Sequence, residues 1–371
     1  MQLETLQLSN FKNYAEARVS FTSKINVLVG KNGSGKTNLL DSIFYLAMTR
    51  SAVSPSDPYC VRHGEDHFYL KGVFRRHDEK HEVSGGYQKG GKKIIREDGQ
   101  EYQKFSDHVG KYPVVWIGPD DTDLVREASE LRRRFFDSVI SQVDRRYLDA
   151  LILYNQSLRQ RNSLLKMFHE NHRFDAVALE TYDDMLVQHG AVVFEKRRDF
   201  LAEFAPVFQE YYNFIVAEEE ARIAYKSGLL ETTFAQGLSD SRDRDQWLQR
   251  TTFGIHRDDF QFTLGGRELK RLGSQGQQKS FVIALKLAQF AVLKAHKGFK
   301  PLLLLDDIFD KLDDFRIEKL LELIKKDELG QLFITDARPD RTSALLRKID
   351  VSSAVYKVGE GNINIYAEQE F

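Results

Sequence analysis

The octet Gly30-Lys31-Asn32-Gly33-Ser34-Gly35-Lys36-Thr37, set directly after the apolar run Ile25-Asn26-Val27-Leu28-Val29, constrains this chain more than any other stretch. Glycines at 30, 33 and 35 let the backbone turn tightly enough for successive N–H groups to converge on one anion. Lys36 adds a point charge for the outer phosphates, and the Thr37 hydroxyl suits Mg2+. A helix starting near Asn38, with Leu39, Leu40, Ile43 and Leu46 on its apolar face, aims its positive end at the same anion. Strand, loop and helix in this order predict a nucleotide-phosphate site for ATP and Mg2+, built by Gly30, Lys31, Asn32, Gly33, Ser34, Gly35, Lys36 and Thr37.

A second segment supplies the acids such a site needs. The run Leu302-Leu303-Leu304-Leu305 ends in Asp306-Asp307, the pattern of a buried parallel strand that delivers carboxylates to a ligand crevice. In a Walker B reading, Asp306 joins Thr37 in holding the metal, and Asp307, one residue on, orients or deprotonates the attacking water. Asp307 is the predicted catalytic residue.

A third segment, Gly273-Ser274-Gln275-Gly276-Gln277-Gln278-Lys279, opens a long helical stretch from about Gln277 to Lys297 that precedes the acidic strand. In isolation it reads as a polar N-cap followed by a helix. Its place before Asp306 is also where ABC-type ATPases carry the signature that reaches the nucleotide of a partner subunit. On that reading Ser274, Gln275, Gly276 and Gln277 act in trans, and hydrolysis requires a homodimer.

Composition narrows the setting. A chain of 371 residues with 42% hydrophobic content can bury a large core, and no run approaches the roughly 20 apolar residues of a membrane span. The start Met1-Gln2-Leu3-Glu4 lacks a secretory pattern, so a cytoplasmic protein without membrane contact is expected. The single cysteine, Cys60, excludes an intrachain disulfide and reads as a packing residue. A net charge of −1 provides no global field for nucleic acid, so any DNA surface must be a local patch. Lys92 and Lys93, on a hairpin predicted through Glu97-Asp98-Gly99-Gln100, and Arg132 and Arg133 are the candidate DNA contacts, as phosphate binders.

The pattern predicts an α/β fold: an ABC-type P-loop ATPase head, a mixed sheet with helices, carrying an inserted helical arm. Residues 1–125 and 250–371 form the head in this reading, and residues 126–249 the arm. Within the arm, Val139, Val143, Tyr147, Leu151, Tyr154 and Leu158 share one helical period, and Leu179, Tyr182, Leu186, Val193, Arg197 and Phe200 another. Each helix is expected to run to ~25–30 residues, or ~40 Å.

Several stretches resemble the RecF family of SMC-like ABC ATPases: Leu8-Ser9-Asn10-Phe11-Lys12-Asn13-Tyr14, Gly35 to Asp41, the Arg50-Ser51 pair and Pro119-Asp120-Asp121. So do Arg132 to Asp137, Gln160-Arg161-Asn162, His256-Arg257-Asp258-Asp259, Ser274 to Lys279 and Leu305-Asp306-Asp307. The resemblance spans nearly the whole chain. It implies an ATP-driven homodimer that binds gapped or junction DNA, leaves it after slow hydrolysis, and works with RecO and RecR in loading recombinase. It also implies Arg50 as a phosphate contact in cis. Departures are Lys12 for the usual arginine, Asp41 for glutamate, Ala52-Val53 within a Ser-Phe-Arg run, and Phe309 in the dimer-facing loop. The position of the ABC switch histidine falls near Phe333-Ile334-Thr335-Asp336, where a threonine is usual in the family. Other SMC-like ATPases, serving phage defence or nuclease regulation, are the alternative. A nuclease-bearing relative needs an appended domain, and after Asp340 only Arg341 to Phe371 follow. A small-molecule kinase has no use for Ser274 to Lys279.

Overall fold

The computed structural model describes residues 1–21, 24–216, 219–308, 313–338, 351–359 and 361–369. In chain order its first elements are β1 (Gln2–Phe11), β2 (Tyr14–Ser20), β3 (Ile25–Val29), α1 (Lys36–Met48), β4 (His67–Arg76), β5 (Glu79–Gln88), β6 (Lys93–Glu97), β7 (Gln100–Glu101) and β8 (Val114–Ile117). There follow α2 (Asp123–Arg126), α3 (Ser129–Val143), α4 (Arg145–Glu170), α5 (Ala176–Ile215), β9 (Ala221–Lys226), α6 (Phe234–Asp240), α7 (Arg242–Leu248), β10 (Asp259–Leu264), β11 (Arg267–Glu268), α8 (Leu269–Leu272) and α9 (Gln275–Lys297). The chain ends with β12 (Leu302–Leu305), α10 (Asp314–Lys325), β13 (Leu332–Asp336), β14 (Ser353–Gly359) and β15 (Asn362–Gln369).

Met1–Asp121 and Leu285–Phe371 form one compact unit. It holds an antiparallel sheet, β2-β1-β4-β5-β6-β7, and a mixed sheet, β15-β14-β3-β13-β12-β8, in which only β15 runs antiparallel to its neighbour. Helix α1 packs against strands of both sheets, which is why it is apolar nearly all round. Leu39, Leu40, Ile43, Tyr45, Leu46 and Ala47 are fully buried in a core shared with Leu6 and Phe68 of one sheet and Leu304 and Phe333 of the other. Each such side chain contributes roughly 1.5–3 kcal/mol by leaving water. Cys60 lies in the same core, as a packing residue should.

Thr122–Ala284 form the second unit, with the three-stranded sheet β11-β10-β9 and the antiparallel helices α4 and α5. The boundary after the arm therefore moves from 250 to 284, inside α9. β10 pairs with β9, and Phe281 of α9 packs against Phe208, Tyr212 and Phe262, so these residues belong with the arm. Two helix expectations are also corrected. The first period is split between α3 and α4 at Asp144, whose side chain caps α4 by accepting from the Tyr147 N–H. The second helix, α5, is 40 residues long and continues through Pro206, because Phe204, Phe208, Tyr212 and Ile215 keep its last turns buried.

Candidate nucleotide site

The phosphate loop is the turn between β3 and α1, and neighbouring elements grip it. The Gly30 N–H donates to the Asp336 carbonyl at 3.3 Å, and a Cβ at Gly30 would lie 2.3 Å from the Val358 carbonyl oxygen. Gly35 sits at φ +107, where a Cβ would strike Asn13 at 2.4 Å. The β1–β2 turn closes over the loop from that side. Asn13 Nδ2 donates to the Ser34 carbonyl at 3.3 Å, the Tyr14 hydroxyl to the Gly35 carbonyl at 3.0 Å, and Asn38 Nδ2 to Asn13 Oδ1 at 2.7 Å.

The Lys36 ammonium donates to the carbonyls of Gly30 at 2.7 Å and Lys31 at 3.0 Å. Burial lowers its pKa, while Asp307, Asp306 and Asp336 pull the other way. Ser34 Oγ is buried with no hydrogen-bond partner among the described residues. A polar atom so placed beside convergent N–H groups and a buried ammonium fits a phosphate oxygen.

The acids arrive on β12, held in parallel between β8 and β13. Asp306 Oδ1 accepts from Thr37 Oγ1 at 2.9 Å and from Thr335 Oγ1 at 2.8 Å. Burial raises the Asp306 pKa, the two threonine hydrogen bonds oppose that, and Asp307 adds to it. A hydroxyl and a buried carboxylate in contact are a donor set that suits Mg2+. Asp307 follows at φ +50, and its N–H donates to Thr335 Oγ1 at 2.8 Å. The expectation about Phe309 lies outside the described residues.

Arg50 follows α1, two residues beyond its last residue Met48, and is exposed, with its guanidinium 5.8 Å from the Phe44 ring centre. The loop after it is held by Asp41, which accepts from Ser51 Oγ at 2.7 Å and from the Ala52 N–H at 2.6 Å. Asp41 also pairs with Lys12 at 2.6 Å, so the two departures from the family pattern are partners.

In the second unit, Ser274 and Gln277 open α9 as a capping box. The Ser274 N–H donates to Gln277 Oε1 at 2.9 Å, and the Gln277 N–H to Ser274 Oγ at 3.2 Å. Gln277 Nε2 also donates to Glu219 Oε1 at 2.9 Å. Ser274 and Gln275 are exposed, and Gly276 is half-buried. The N-cap reading of this segment holds, and it leaves the serine at the surface.

Three of the four proposed DNA contacts are corrected. Lys93 lies on the inner face of its sheet, bonded to the Thr49 carbonyl and paired with Asp57 at 3.0 Å, with its ammonium 4.9 Å from the Tyr45 ring centre. Arg132 is buried, paired with Asp259 at 2.8 Å and bonded to the Leu124 and Glu127 carbonyls. Arg133 donates to Ser129 Oγ at 2.7 Å and to the Asp258 carbonyl. Lys92 alone is exposed, on the rim of a groove of about 480 Å³ lined also by Tyr69, Gly86, Ile94 and Arg96. Asn13, Tyr14 and Thr335 hydrogen-bond to the glycine loop or to Asp306, contacts that the sequence pattern did not foretell. The first two lay in the stretch that carries the family resemblance, and Thr335 at the switch position.

A glycine loop before a buried helix, and an acid-tipped parallel strand bonded to that loop's threonine, define a P-loop ATPase head of the ABC type. The family model described as RecF/RecN/SMC N terminal domain matches residues 2–363. The DNA replication and repair protein RecF of Cytophaga hutchinsonii is 45% identical over 98% of this chain and 96% of its own. That of Flavobacterium johnsoniae is 44% identical over 96% of this chain and all of its own (100%). Among solved structures, the recombination mediator protein RecF-ATP of the RecFOR pathway superposes with a TM-score of 0.89 at 28% identity, covering 98% of this chain and 97% of that one. An Smc head domain from Pyrococcus furiosus, at 17% identity and a TM-score of 0.57 over 99% of this chain and 96% of its own, shares the fold. The chain belongs to the RecF family.

Proposed function

We propose that this protein is an ATP-driven clamp for gapped and junction DNA in recombinational repair. ATP closes two heads on DNA, slow DNA-dependent hydrolysis reopens them, and RecO and RecR are its partners in loading recombinase. The observation that carries the reading is the 2.9 Å hydrogen bond from Thr37 to Asp306, which joins the phosphate loop to the acidic strand across 269 positions of sequence. Thr37 and Asp306 are the residues that would hold Mg2+, which when bound would offset phosphate charge. Asp307 orients the attacking water as catalytic base, and Gly30 to Thr37 with Arg50 bind the triphosphate. Ser274, Gln275, Gly276 and Gln277 complete the site of the second copy. The family supports this reading, as do the RecF-ATP structures of its relatives. No helix among the described residues is long and apolar enough to cross a membrane. With Arg132, Arg133 and Lys93 turned inward, the DNA contact is assigned to the groove rimmed by Lys92, Arg96 and Tyr69.

Sedimentation of the purified protein, with and without ATP, Mg2+ and a gapped duplex, tests the proposal. A DNA-bound dimer should form only with ATP, Lys36→Arg should weaken it, and Asp307→Asn should trap it. A monomer that ignores both ATP and DNA would overturn the clamp.

A further inference from the structure

We propose that the outer face of the first unit's antiparallel sheet holds an unpaired DNA base, stacked on Tyr69 in a slot floored by Gly86, an inference that rests on the DNA reading above. Strand alternation sets the face. Phe68 and Leu70, 1% and 0% exposed, anchor β4 in the core, so Tyr69 between them points outward and is 37% exposed. Register then places Gly86 of β5 opposite Tyr69, and Ile94 of β6 opposite Gly86. Two strand spacings, ~10 Å, separate Tyr69 from Ile94, and no side chain rises between them. A β carbon at Gly86 would stand 3.7 Å from Tyr69 Cδ2, so the ring borders the slot at van der Waals distance. The slot opens into the groove of about 480 Å³ already described.

The charges around the slot select its ligand. Lys71 is taken by Glu82 at 2.7 Å and His67 by Asp66, which leaves Lys92 and Arg96 as the cations of the groove. Lys92 has no ion pair among the described residues. Arg96 is paired with Glu101 at 3.4 Å, but both are exposed, and such a contact is worth little against a phosphate. The two cations stand ~13 Å apart along the strand, on either side of the row formed by Ile94, Gly86 and Tyr69. Phosphates flanking a nucleotide can therefore each meet a cation while the base enters the slot. A paired duplex keeps its bases stacked inside and shows this face only phosphates, for which an open ring has no use. Gapped DNA supplies unpaired bases, and stacking on an aromatic ring accepts any of them, since every base has a π-face.

The test uses full-length protein with ATP and Mg2+ and labelled probes of one length: a paired duplex, a gapped duplex, and a gapped duplex whose gap nucleotides lack their bases. Wild type should bind the gapped probe about 5- to 100-fold tighter than the abasic one, the range of a base–aromatic stack. Tyr69→Leu should lose that same factor on the gapped probe, lose nothing further on the abasic one, and stay within about twofold of wild type on the paired duplex. Tyr69→Phe keeps the ring and should behave as wild type. Lys92→Gln and Arg96→Gln should each lower the salt slope on the gapped probe by about 0.7 to 1. A fluorescent purine analogue placed in the gap should be quenched when wild type binds, a readout that stands even if Tyr69→Leu fails to fold. Equal affinity for base-bearing and abasic gaps, or an unquenched analogue, overturns the inference. An equal loss by Tyr69→Leu on the paired duplex overturns it in favour of a duplex backbone on this face. If Tyr69→Leu still discriminates as wild type does, the base is held elsewhere, and the inference falls while the clamp stands. A wild-type protein that binds none of the probes overturns the clamp reading, and this inference with it.

Discussion

Two buried side chains show how single positions outside the phosphate loop shape this molecule. Lys12 is 9% exposed and Asp41 fully buried, and their ion pair also anchors the loop that follows Arg50. Breaking a buried pair by removing one partner costs more than the pair is worth, because the other charge stays in low dielectric. A double-mutant cycle of Lys12→Met and Asp41→Asn in chemical denaturation should return a coupling of ~1–3 kcal/mol. Additive effects of the two substitutions would show that the contact does not matter. His256 offers a test by pH. Its Nε2 faces the Thr251 carbonyl at 3.1 Å and its Nδ1 the Tyr154 hydroxyl at 2.8 Å, an arrangement met by the neutral ring with the proton on Nε2. Burial, opposed by the Thr251 hydrogen bond and aided by Arg257, Arg133 and Arg161, holds its pKa at about 4 against the ordinary 6.5. A histidine with a depressed folded pKa costs nothing above pH 6.5. As pH falls from there to about 4, the unfolded chain takes up a proton that the native state refuses, and roughly 3 kcal/mol is lost. Denaturant midpoints followed from pH 7 to 4 should fall less steeply in His256→Gln than in wild type. Parallel curves would remove His256 from the acid response.

At the scale of elements, α9 combines a local duty with a proposed remote one at a single serine. Ser274 caps the helix through the Gln277 N–H, and the same hydroxyl is the group proposed to act across the dimer. Asparagine caps as well as serine, whereas alanine costs ~1 kcal/mol. Ser274→Asn should therefore melt within about 0.5 kcal/mol of wild type yet fail to dimerise with ATP, and Ser274→Ala should lose both. Normal ATP-driven dimerisation of Ser274→Asn would leave the segment with only its cap. What the sequence made legible among the elements was local. The run 302–305 is strand β12, and Asp98-Gly99 is the predicted tight turn, with φ values of 50 and 82. What it hid depended on parity or on distant partners. Lys93 faces inward because it shares its side of β6 with Ile95, a one-residue matter that decides the whole face. Arg132 belongs to Asp259, 127 positions away, which no helical period reveals. The break at Asp144 is hidden because apolar spacing continues across the cap. The two segments that meet at the Thr37–Asp306 hydrogen bond were legible, since each is written into a contiguous stretch. The hydrogen bonds of Thr335 with Asp306 and Asp307 were not, since they exist only once β13 lies beside β12.

At the scale of the whole molecule, both units have apolar cores, and the second adds networks of buried charge, which gives each its own handle. The first has an apolar layer around α1, and it contains both the glycine loop and the acid-tipped strand of the proposed nucleotide site. The second adds buried charge to its aromatic core. Arg197, 2% exposed, is bonded to Asp137 at 2.8 Å, to Asp258 at 3.1 Å and to the Ile255 carbonyl at 2.9 Å. Arg161, fully buried, joins Asp183 at 2.6 Å and Asp245 at 2.7 Å. Such networks tie α3, α4 and α5 to segments far along the chain, and they fail badly when one member is lost. Arg197→Ala leaves two carboxylates unpaired and should cost about 3–5 kcal/mol in the second unit. ATP at 100 times its Kd should add about 2.7 kcal/mol to the first unit, because it binds that folded unit and not the unfolded chain. Scanning calorimetry of wild type and Arg197→Ala, each with and without ATP and Mg2+, should therefore resolve two transitions. The substitution should lower one of them, and the nucleotide should raise the other. Hydrogen exchange would assign the nucleotide-sensitive transition to the residues around α1 and β12. A single transition moved equally by both changes would mean that neither unit holds its stability alone, and that the charge networks of the second unit support the nucleotide site as well.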